Sequence, residues 1–170
     1  ETWKAYIHTE KIGRRIVIRP TWEEYTPQGD EIVIDLDPGA AFGTGAHATT
    51  AMCLRWLEHI VCPKMRVYDV GCGSGILAIA ASKLGAGEVI AVDSDPVAVS
   101  VAEENVRAND VTNVAVFESD LLSICAGTEP AELITANIVA DVVIRLFDQL
   151  GRHLAPGGIL LASGIIDDRV

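Results

Sequence analysis

The sequence predicts an α/β fold in which helices cover both faces of a mostly parallel sheet. Between residues 65 and 162, short apolar runs of strand length alternate with longer runs whose apolar residues recur at helical spacing. This alternation is typical of parallel strands joined by crossover helices. The short runs are almost continuously apolar, as expected of strands that are buried on both faces. The chain has 170 residues, of which 49% are hydrophobic and 22% charged, so it can form a domain with a sizeable core.

The predicted order across this region is β-α-β-α-β-β-α-β, with one further helix before it. Gly85 ends one predicted helix, and Pro96 stands at the first helical position of the next, with Asp95 as its cap. The residues at 155–158, APGG, predict a turn before the last strand. The predicted strands cover 65–70, 88–93, 113–117, 133–136 and 159–162, and the predicted helices cover 49–61, 76–84, 96–109 and 139–154.

Residues 1–45 are predicted to form a β-rich segment that ends in a glycine-rich loop, and residues 46–170 form a second unit that contains the parallel sheet. Within the first segment, Arg15–Arg19 and Glu31–Leu36 have the patterns of short strands. The residue types between them, TPQGD at 26–30, favour a turn. The parallel sheet is therefore predicted to be preceded by a short β-hairpin.

The most informative stretch is MRVYDVGCGSGIL, in which an apolar strand that contains Asp69 leads directly into Gly71, Gly73 and Gly75. Because glycine has no Cβ, such a turn can adopt positive φ and lets a ligand approach the backbone. A strand, a glycine turn and a helix in this order form the phosphate or nucleoside cradle of many α/β proteins. A tight turn that binds no ligand is the alternative.

The spacing of the glycines argues against a dinucleotide. The dinucleotide fingerprint G-x-G-x-x-G places its third glycine three residues after the second. Ile76 stands at that position here, and the third glycine comes one residue earlier, at Gly75. A nicotinamide-dependent oxidoreductase is therefore disfavoured.

Three further polar residues stand where predicted strands end. Asp93 closes the strand after the glycine turn and its helix, where a carboxylate can accept hydrogen bonds from both hydroxyls of a ribose. Asp120 follows the next strand, where it either contacts the amino group of an adenine or is a solvated turn acid. Asn137 follows the fourth strand, where it belongs to the site, caps the next helix, or does both. Because the carboxyl ends of parallel strands meet at one edge, these residues and the glycine turn predict one ligand site.

Composition limits the partners and the compartment. The formal net charge of −11 argues against direct binding of nucleic acid, and it suits either a basic protein substrate or simply a soluble acidic surface. The four cysteines form no C-x-x-C pair, so a reduced cytosolic protein is expected. The four histidines lack the spacing of metal ligands, so no metal site is expected. No signal peptide and no run of membrane-spanning length is recognised, and no membrane partner is expected.

Four blocks of the sequence resemble the bacterial ribosomal protein L11 methyltransferases (the PrmA family). The run DVGCGSG is similar to the first motif of the class I S-adenosylmethionine-dependent methyltransferases, and the block LDPGAAFGTGAHATT at 36–50 is far more selective for the family. The other matching blocks are 67–86, 91–99 and 136–140, and they follow in the family's order. The resemblance is strong across residues 36–162 and fainter before them.

The resemblance implies a Rossmann-like class I methyltransferase fold that uses S-adenosyl-L-methionine as cofactor. It also implies that the acceptors are the lysine ε-amines and the N-terminal amine of a ribosomal protein in the cytoplasm. Family members carry a separate N-terminal substrate-recognition domain and a seven-stranded sheet, so the chain is expected to lack that domain and the last two strands. The alternatives are a non-catalytic S-adenosylmethionine-binding module and, less favoured, a nicotinamide-dependent oxidoreductase.

The resemblance also implies roles for particular residues. In the family, the loop around Phe42–Gly45, which contains Thr44, closes over the active site. Thr50 is implied as a cofactor contact, with a helix cap as the alternative. We expect Asn137 to be catalytic, because its side-chain carbonyl can accept hydrogen bonds from the amine and aim the lone pair at the methyl group. The expected cofactor-binding residues are Phe42, Thr44, Thr50, Asp69, Gly71, Gly73, Gly75, Asp93, Asp120 and Asn137.

Overall fold

The structure is a computed structural model, and it describes residues 7–37 and 48–165. Three short strands come first: β1 (Glu10–Ile12), β2 (Ile16–Arg19) and β3 (Ile32–Asp35). Helix α1 (Ala48–Ile60) follows, and strands then alternate with helices. In chain order these are β4 (Arg66–Val70), α2 (Ile76–Lys83), β5 (Glu88–Asp93), α3 (Pro96–Ala108), β6 (Val114–Glu118), a 3₁₀ turn at Ser123–Cys125, β7 (Ala131–Asn137), α4 (Ala140–His153) and β8 (Leu154–Ser163).

The five later strands form one parallel sheet in the order β6-β5-β4-β7-β8. The chain enters this sheet in the middle at β4, winds outwards through β5 and β6, and returns to the other side of β4 at β7. The predicted α/β fold with a central parallel sheet is therefore confirmed. In such a sheet, the ligand crevice opens outside the carboxyl ends of the two strands where the winding direction reverses, which here are β4 and β7.

Alternate side chains of the strands divide the core between the two faces of this sheet. Val67 and Val89 belong to the cluster that packs against α1, α2 and α3, whereas Tyr68 and Ile90 belong to the cluster that contains Leu146 of α4. All of them are buried. Because both faces are covered, the strands need apolar residues at successive positions, which explains their continuous apolar runs.

The first three strands form a separate sheet in the order β1-β2-β3, and its pairing differs from the sequence-based prediction. The two predicted strands lie side by side but run parallel, with Ile16 opposite Ile32. The hairpin predicted between them is wrong, because the antiparallel hairpin lies one strand earlier, between β1 and β2. The residue types at 26–30 favour a turn, but they do not show whether β3 pairs with β2 in the parallel or the antiparallel direction. The segment between the two strands is long enough to return to the start of β2, which a parallel pairing requires. Strand β1 has one buried side chain, Ile12, so its sequence carries little strand pattern.

A single carboxylate attaches the β1–β2 turn to helix α1. Glu58 accepts hydrogen bonds from the backbone N–H groups of Arg14, Arg15 and Ile16 at 2.9, 2.8 and 3.0 Å. Burial by itself raises the pKa of Glu58, but these three hydrogen bonds outweigh it and lower the pKa overall. Gly13 has a φ of 68°, and a Cβ there would lie 2.7 Å from a Glu58 carboxylate oxygen. The turn therefore closes around the carboxylate and fixes the C-terminal half of α1.

The last strand is longer than predicted. The structure extends the predicted strand 159–162 back to Leu154. The predicted turn at 155–158 is a bulge within β8, because Leu154 pairs with Ala131 and Ile159 already pairs with Leu133. Proline and glycine are common at such bulges, so their presence does not distinguish a bulge from a separate turn.

Candidate functional site

The carboxyl ends of the central strands open onto one cavity of about 620 Å³. Cavities of about 300–1,000 Å³ are typical of sites for small ligands and cofactors. The lining brings together several of the residues that the sequence predicts for a site, namely Gly71, Gly73, Asp93, Asp120 and Asn137. Two other predicted contacts, Phe42 and Thr44, lie outside the described residues.

The glycine turn adopts a backbone that other residues rarely tolerate. Gly71, Gly73 and Gly75 have φ values of 67°, 52° and 80°. A Cβ at Gly71 would clash with Cγ2 of Ile138, so any other residue there would displace the Ile138 side chain. Gly75 is not one of the described residues that line the cavity. It directly precedes α2, and a Cβ at Gly75 would lie 3.2 Å from Cβ of Ala102 in α3. Gly71 and Gly73 therefore shape the cavity, whereas Gly75 lets α2 approach α3.

Asp93 joins the end of β5 to the glycine turn. Its Oδ2 accepts a hydrogen bond from the backbone N–H of Gly73 at 3.0 Å, and its Oδ1 accepts one from Asp95 at 3.0 Å. Asp95 in turn caps α3 by accepting from the N–H of Val97 at 2.9 Å, which confirms its predicted role. The Asp93 side chain is partly exposed and lines the cavity. Each of its oxygens keeps a lone pair beyond these bonds, so a ligand hydroxyl can still donate to it.

The side-chain amide of Asn137 is held by helix α1. Its Nδ2 donates a hydrogen bond to the Thr50 hydroxyl at 3.0 Å. Thr50 is 1% exposed and is the third residue of α1, so it does not occupy the cap position that precedes the helix. Asn137 is not a cap either, because α4 begins at Ala140, with Val139 before it and no side-chain bond at that end. Since Nδ2 is engaged by Thr50, Oδ1 is the part of the amide that can accept from a ligand.

Asp69 lies beneath the cavity rather than in its lining. The residue is 1% exposed, and its Oδ1 accepts a hydrogen bond from the Thr135 hydroxyl at 2.8 Å. Burial raises the pKa of Asp69 to about 7, against the opposing effect of the Thr135 hydrogen bond. The side chain thus links β4 to β7 below the site, and a direct contact between Asp69 and a cofactor stays a prediction.

Asp120 forms an ion pair that the sequence does not indicate. Nη2 of Arg145, in α4, lies 3.0 Å from Oδ1 and 2.8 Å from Oδ2 of Asp120. Both residues line the cavity. They are 25 positions apart, so no local pattern identifies them as partners. Asp120 is therefore a paired acid at the cavity rather than only a solvated turn acid.

The charged side chains of the described lining are mostly acidic. Asp93, Asp95 and Asp120 stand against a single cation, Arg145. In a partly enclosed cavity such an excess favours a cationic ligand and disfavours an anionic one. Within residues 7–37 and 48–165, no three His, Cys, Asp or Glu side chains converge to hold a metal ion. Over the same ranges, no helix is both long and apolar enough to cross a membrane.

The strand order and the cavity at the carboxyl edge define a Rossmann-like fold, which the class I methyltransferases share with other α/β proteins. The crystallised 16S rRNA N2 G1207 methyltransferase of T. thermophilus, solved with AdoMet and guanosine, has this fold. It superposes with a TM-score of 0.64 at 22% identity, covering 72% of this chain and 36% of that chain.

Within this class, the chain belongs to the family of ribosomal protein L11 methyltransferases (PrmA), whose sequence model matches residues 1–170. The ribosomal protein L11 methyltransferases of Caldanaerobacter subterraneus and Heliobacterium modesticaldum are 57% and 56% identical over 169 residues, or 99% of this chain. The crystal structure of ribosomal protein L11 methylase from Lactobacillus delbrueckii superposes with a TM-score of 0.84 at 40% identity, covering 94% of this chain and 81% of that chain. The chain spans about half the length of the two curated relatives, 54% and 53%.

We predict that Asp69→Asn gains stability relative to the unchanged protein as the pH rises from about 4 to about 7. Burial raises the pKa of Asp69 from 3.8 to about 7 in the folded protein. Over this window the unfolded chain loses a proton that the folded protein retains, so the free energy of unfolding of the unchanged protein falls. Asparagine keeps an acceptor for Thr135 and has no proton to lose.

Urea unfolding of both proteins at about pH 5 and about pH 8 measures this effect. The matched control is Asp148→Asn, which changes an exposed aspartate on α4. The prediction fails if the stability difference between Asp69→Asn and the unchanged protein is the same at both pH values.

Proposed function

We propose that the cavity binds S-adenosyl-L-methionine and that the protein transfers the methyl group to amino groups of a ribosomal protein, with L11 as the acceptor. The observation that carries this proposal is the placement of the glycine turn, Asp93 and Asn137 around one cavity in a member of this family. The relatives are named for methylation of L11. Because this chain spans about half of their length, the proposed activity is that of the full-length protein.

The described residues fit this cofactor in three respects. Gly73 lines the cavity and has no Cβ atom, so a ligand can approach its backbone closely. The lone pairs that remain on Asp93 suit the hydroxyls of a ribose. The acidic lining favours the positive charge of a sulfonium. The same lining disfavours the anionic pyrophosphate of a nicotinamide dinucleotide, in agreement with Ile76 at the position of the missing glycine.

The protein's part in the reaction is mainly positioning. When bound, the cofactor supplies a methyl group that is already activated on a sulfonium. A lysine amine has an unperturbed pKa of about 10.4, so it must lose a proton before it attacks. Oδ1 of Asn137 accepts a hydrogen bond from the amine and so directs the nitrogen lone pair. The bond from Nδ2 to the buried Thr50 hydroxyl keeps the amide in the orientation that presents Oδ1.

Charge and compartment agree with a ribosomal acceptor. The net charge of −11 attracts a basic protein, and it disfavours direct contact with nucleic acid. The four cysteines are all free thiols, which suits a reducing compartment. We therefore propose that the reaction takes place in the cytoplasm.

We expect Asp93→Ala to weaken the binding of S-adenosylmethionine at least about tenfold, or about 1.4 kcal/mol. The change removes the acceptors for the ribose and also releases the N–H of Gly73. Isothermal titration calorimetry measures the affinity, and the exposed Asp148→Ala is the control that should leave it unchanged. An unaltered affinity in Asp93→Ala would remove Asp93 from the site.

Asn137→Ala in the full-length protein should lower kcat by about 100-fold while changing the Kd for S-adenosylmethionine much less, because it removes the group that orients the amine. Thr50→Val should also lower kcat, because it removes the hydroxyl that holds the Asn137 amide. Thr50→Ser keeps that hydroxyl and should keep most of the activity. Transfer of a radiolabelled methyl group to purified L11 measures kcat, and calorimetry measures the Kd for S-adenosylmethionine. Equal losses in kcat and in cofactor affinity would assign Asn137 to cofactor binding alone.

A further inference from the structure

Two side chains of α4 hold the loop that follows β6. Arg145 donates through Nη2 to both carboxylate oxygens of Asp120, at 3.0 and 2.8 Å. One turn further along α4, Oε1 of Gln149 accepts a hydrogen bond from the backbone N–H of Leu122 at 2.9 Å. Helix residues four apart lie on the same face, so Arg145 and Gln149 act on the loop together. The loop is thereby tied to α4 at two points, one on each side of Leu121.

Leu121 has an unusual backbone between these two points. Its φ of 52° lies in the left-handed region, which leucine rarely adopts. The residue is 6% exposed, lines the cavity, and packs in the cluster that contains Leu146 of α4. Such a conformation persists only where surrounding contacts hold it, and it is often found at ligand sites. The contacts from α4 therefore hold a strained segment of the cavity wall in place.

The ion pair itself is too exposed to matter much for folding. The side chains of Arg145 and Asp120 are 57% and 66% exposed. Exposed pairs of this kind contribute little to stability, because both charges are well solvated whether or not they meet. Both residues nevertheless line the cavity. An effect of the pair is therefore expected on the ligand in the cavity rather than on the fold.

We propose that Arg145 is a positioning residue that acts through Asp120 to make the cavity selective for a 6-aminopurine over a 6-oxopurine. The inference rests on the proposed function, and it adds that Asp120 accepts a hydrogen bond from the adenine amino group of S-adenosylmethionine, which is one of the two roles that the sequence allows for this residue. A carboxylate attracts an amino group and repels a carbonyl oxygen, so a fixed carboxylate discriminates between the two purines. Arg145 engages each oxygen once and leaves further lone pairs for the ligand. Without Arg145, the Asp120 side chain rotates in solvent and this discrimination weakens.

The test measures the affinities of S-adenosylhomocysteine and of S-inosylhomocysteine, its 6-oxopurine counterpart, by calorimetry. We expect the unchanged chain to prefer the adenosine compound at least about tenfold, and Arg145→Ala to reduce this ratio at least about threefold. Arg145→Lys should preserve most of the ratio, because a single nitrogen makes both contacts and an ammonium group can do the same. Arg152→Ala is the matched control, since it removes an exposed arginine from the last turn of the same helix.

A lower ratio in Arg145→Ala, its recovery in Arg145→Lys and no change in Arg152→Ala would support the positioning role. An unchanged ratio in Arg145→Ala would overturn it. An equal loss of affinity for both compounds in that variant, or a similar fall of the ratio in Arg152→Ala, would overturn it as well. These outcomes are distinct from a failure of the proposed function, in which the unchanged, folded chain binds neither compound.

Discussion

The position of the proposed reacting centre depends on how Ile138 packs between two glycines, which follow the strands on either side of β7. A Cβ at Gly71, after β4, would clash with Cγ2 of Ile138, and a Cβ at Gly164, after β8, would lie 2.8 Å from the carbonyl oxygen of Ile138. The N–H of Ile138 donates to the carbonyl of Ser163 at 3.1 Å. Ile138 directly follows Asn137, so these contacts fix where the chain leaves β7 and where the Asn137 amide stands. A side chain at Gly164 would therefore displace the backbone of this loop, and one at Gly71 would displace the Ile138 side chain.

Helix α1 connects Asn137 to the small N-terminal sheet. In its first turn, Thr50 holds the amide of Asn137, and in its last turns Glu58 holds the β1–β2 turn. Below the cavity, the bond between Thr135 and Asp69 joins β7 to β4. Thr50, Asp69 and Thr135 are buried, so breaking either of these two bonds leaves a polar group without a partner and costs free energy. The small N-terminal sheet thus supports the site through α1, although none of the described cavity residues belongs to it.

The features that the sequence predicts correctly are those encoded by neighbouring residues. The glycine turn, the acid at the end of β5 and the Asp95-Pro96 start of α3 each appear as a short local pattern, and the structure places them as expected. The resemblance to the methyltransferase family rests on similar local blocks, and membership of the family is confirmed. Because strand and helix patterns are also local, the order of elements from β4 to β8 could be predicted.

The features that the sequence does not predict depend on contacts between distant residues. Whether β3 runs parallel or antiparallel to β2 depends on how the intervening chain crosses back, not on the strands themselves. Thr50 is 87 positions from Asn137, so its role in holding the amide could be seen only in the folded chain. Arg145 lies on the exposed side of an amphipathic helix, where a charged residue needs no special explanation. Its proximity to Asp120 is likewise a property of the fold.

Calorimetric titration of this chain with S-adenosylmethionine is the measurement to make first, because it shows whether the cavity at the carboxyl edge of the sheet is the site of that compound. NAD serves as the control, because its pyrophosphate is anionic and the described lining is acidic. We expect one site with a Kd on the order of micromolar for S-adenosylmethionine and no measurable binding of NAD. Binding of NAD in preference to S-adenosylmethionine, or no binding of S-adenosylmethionine by a folded sample, would contradict this expectation.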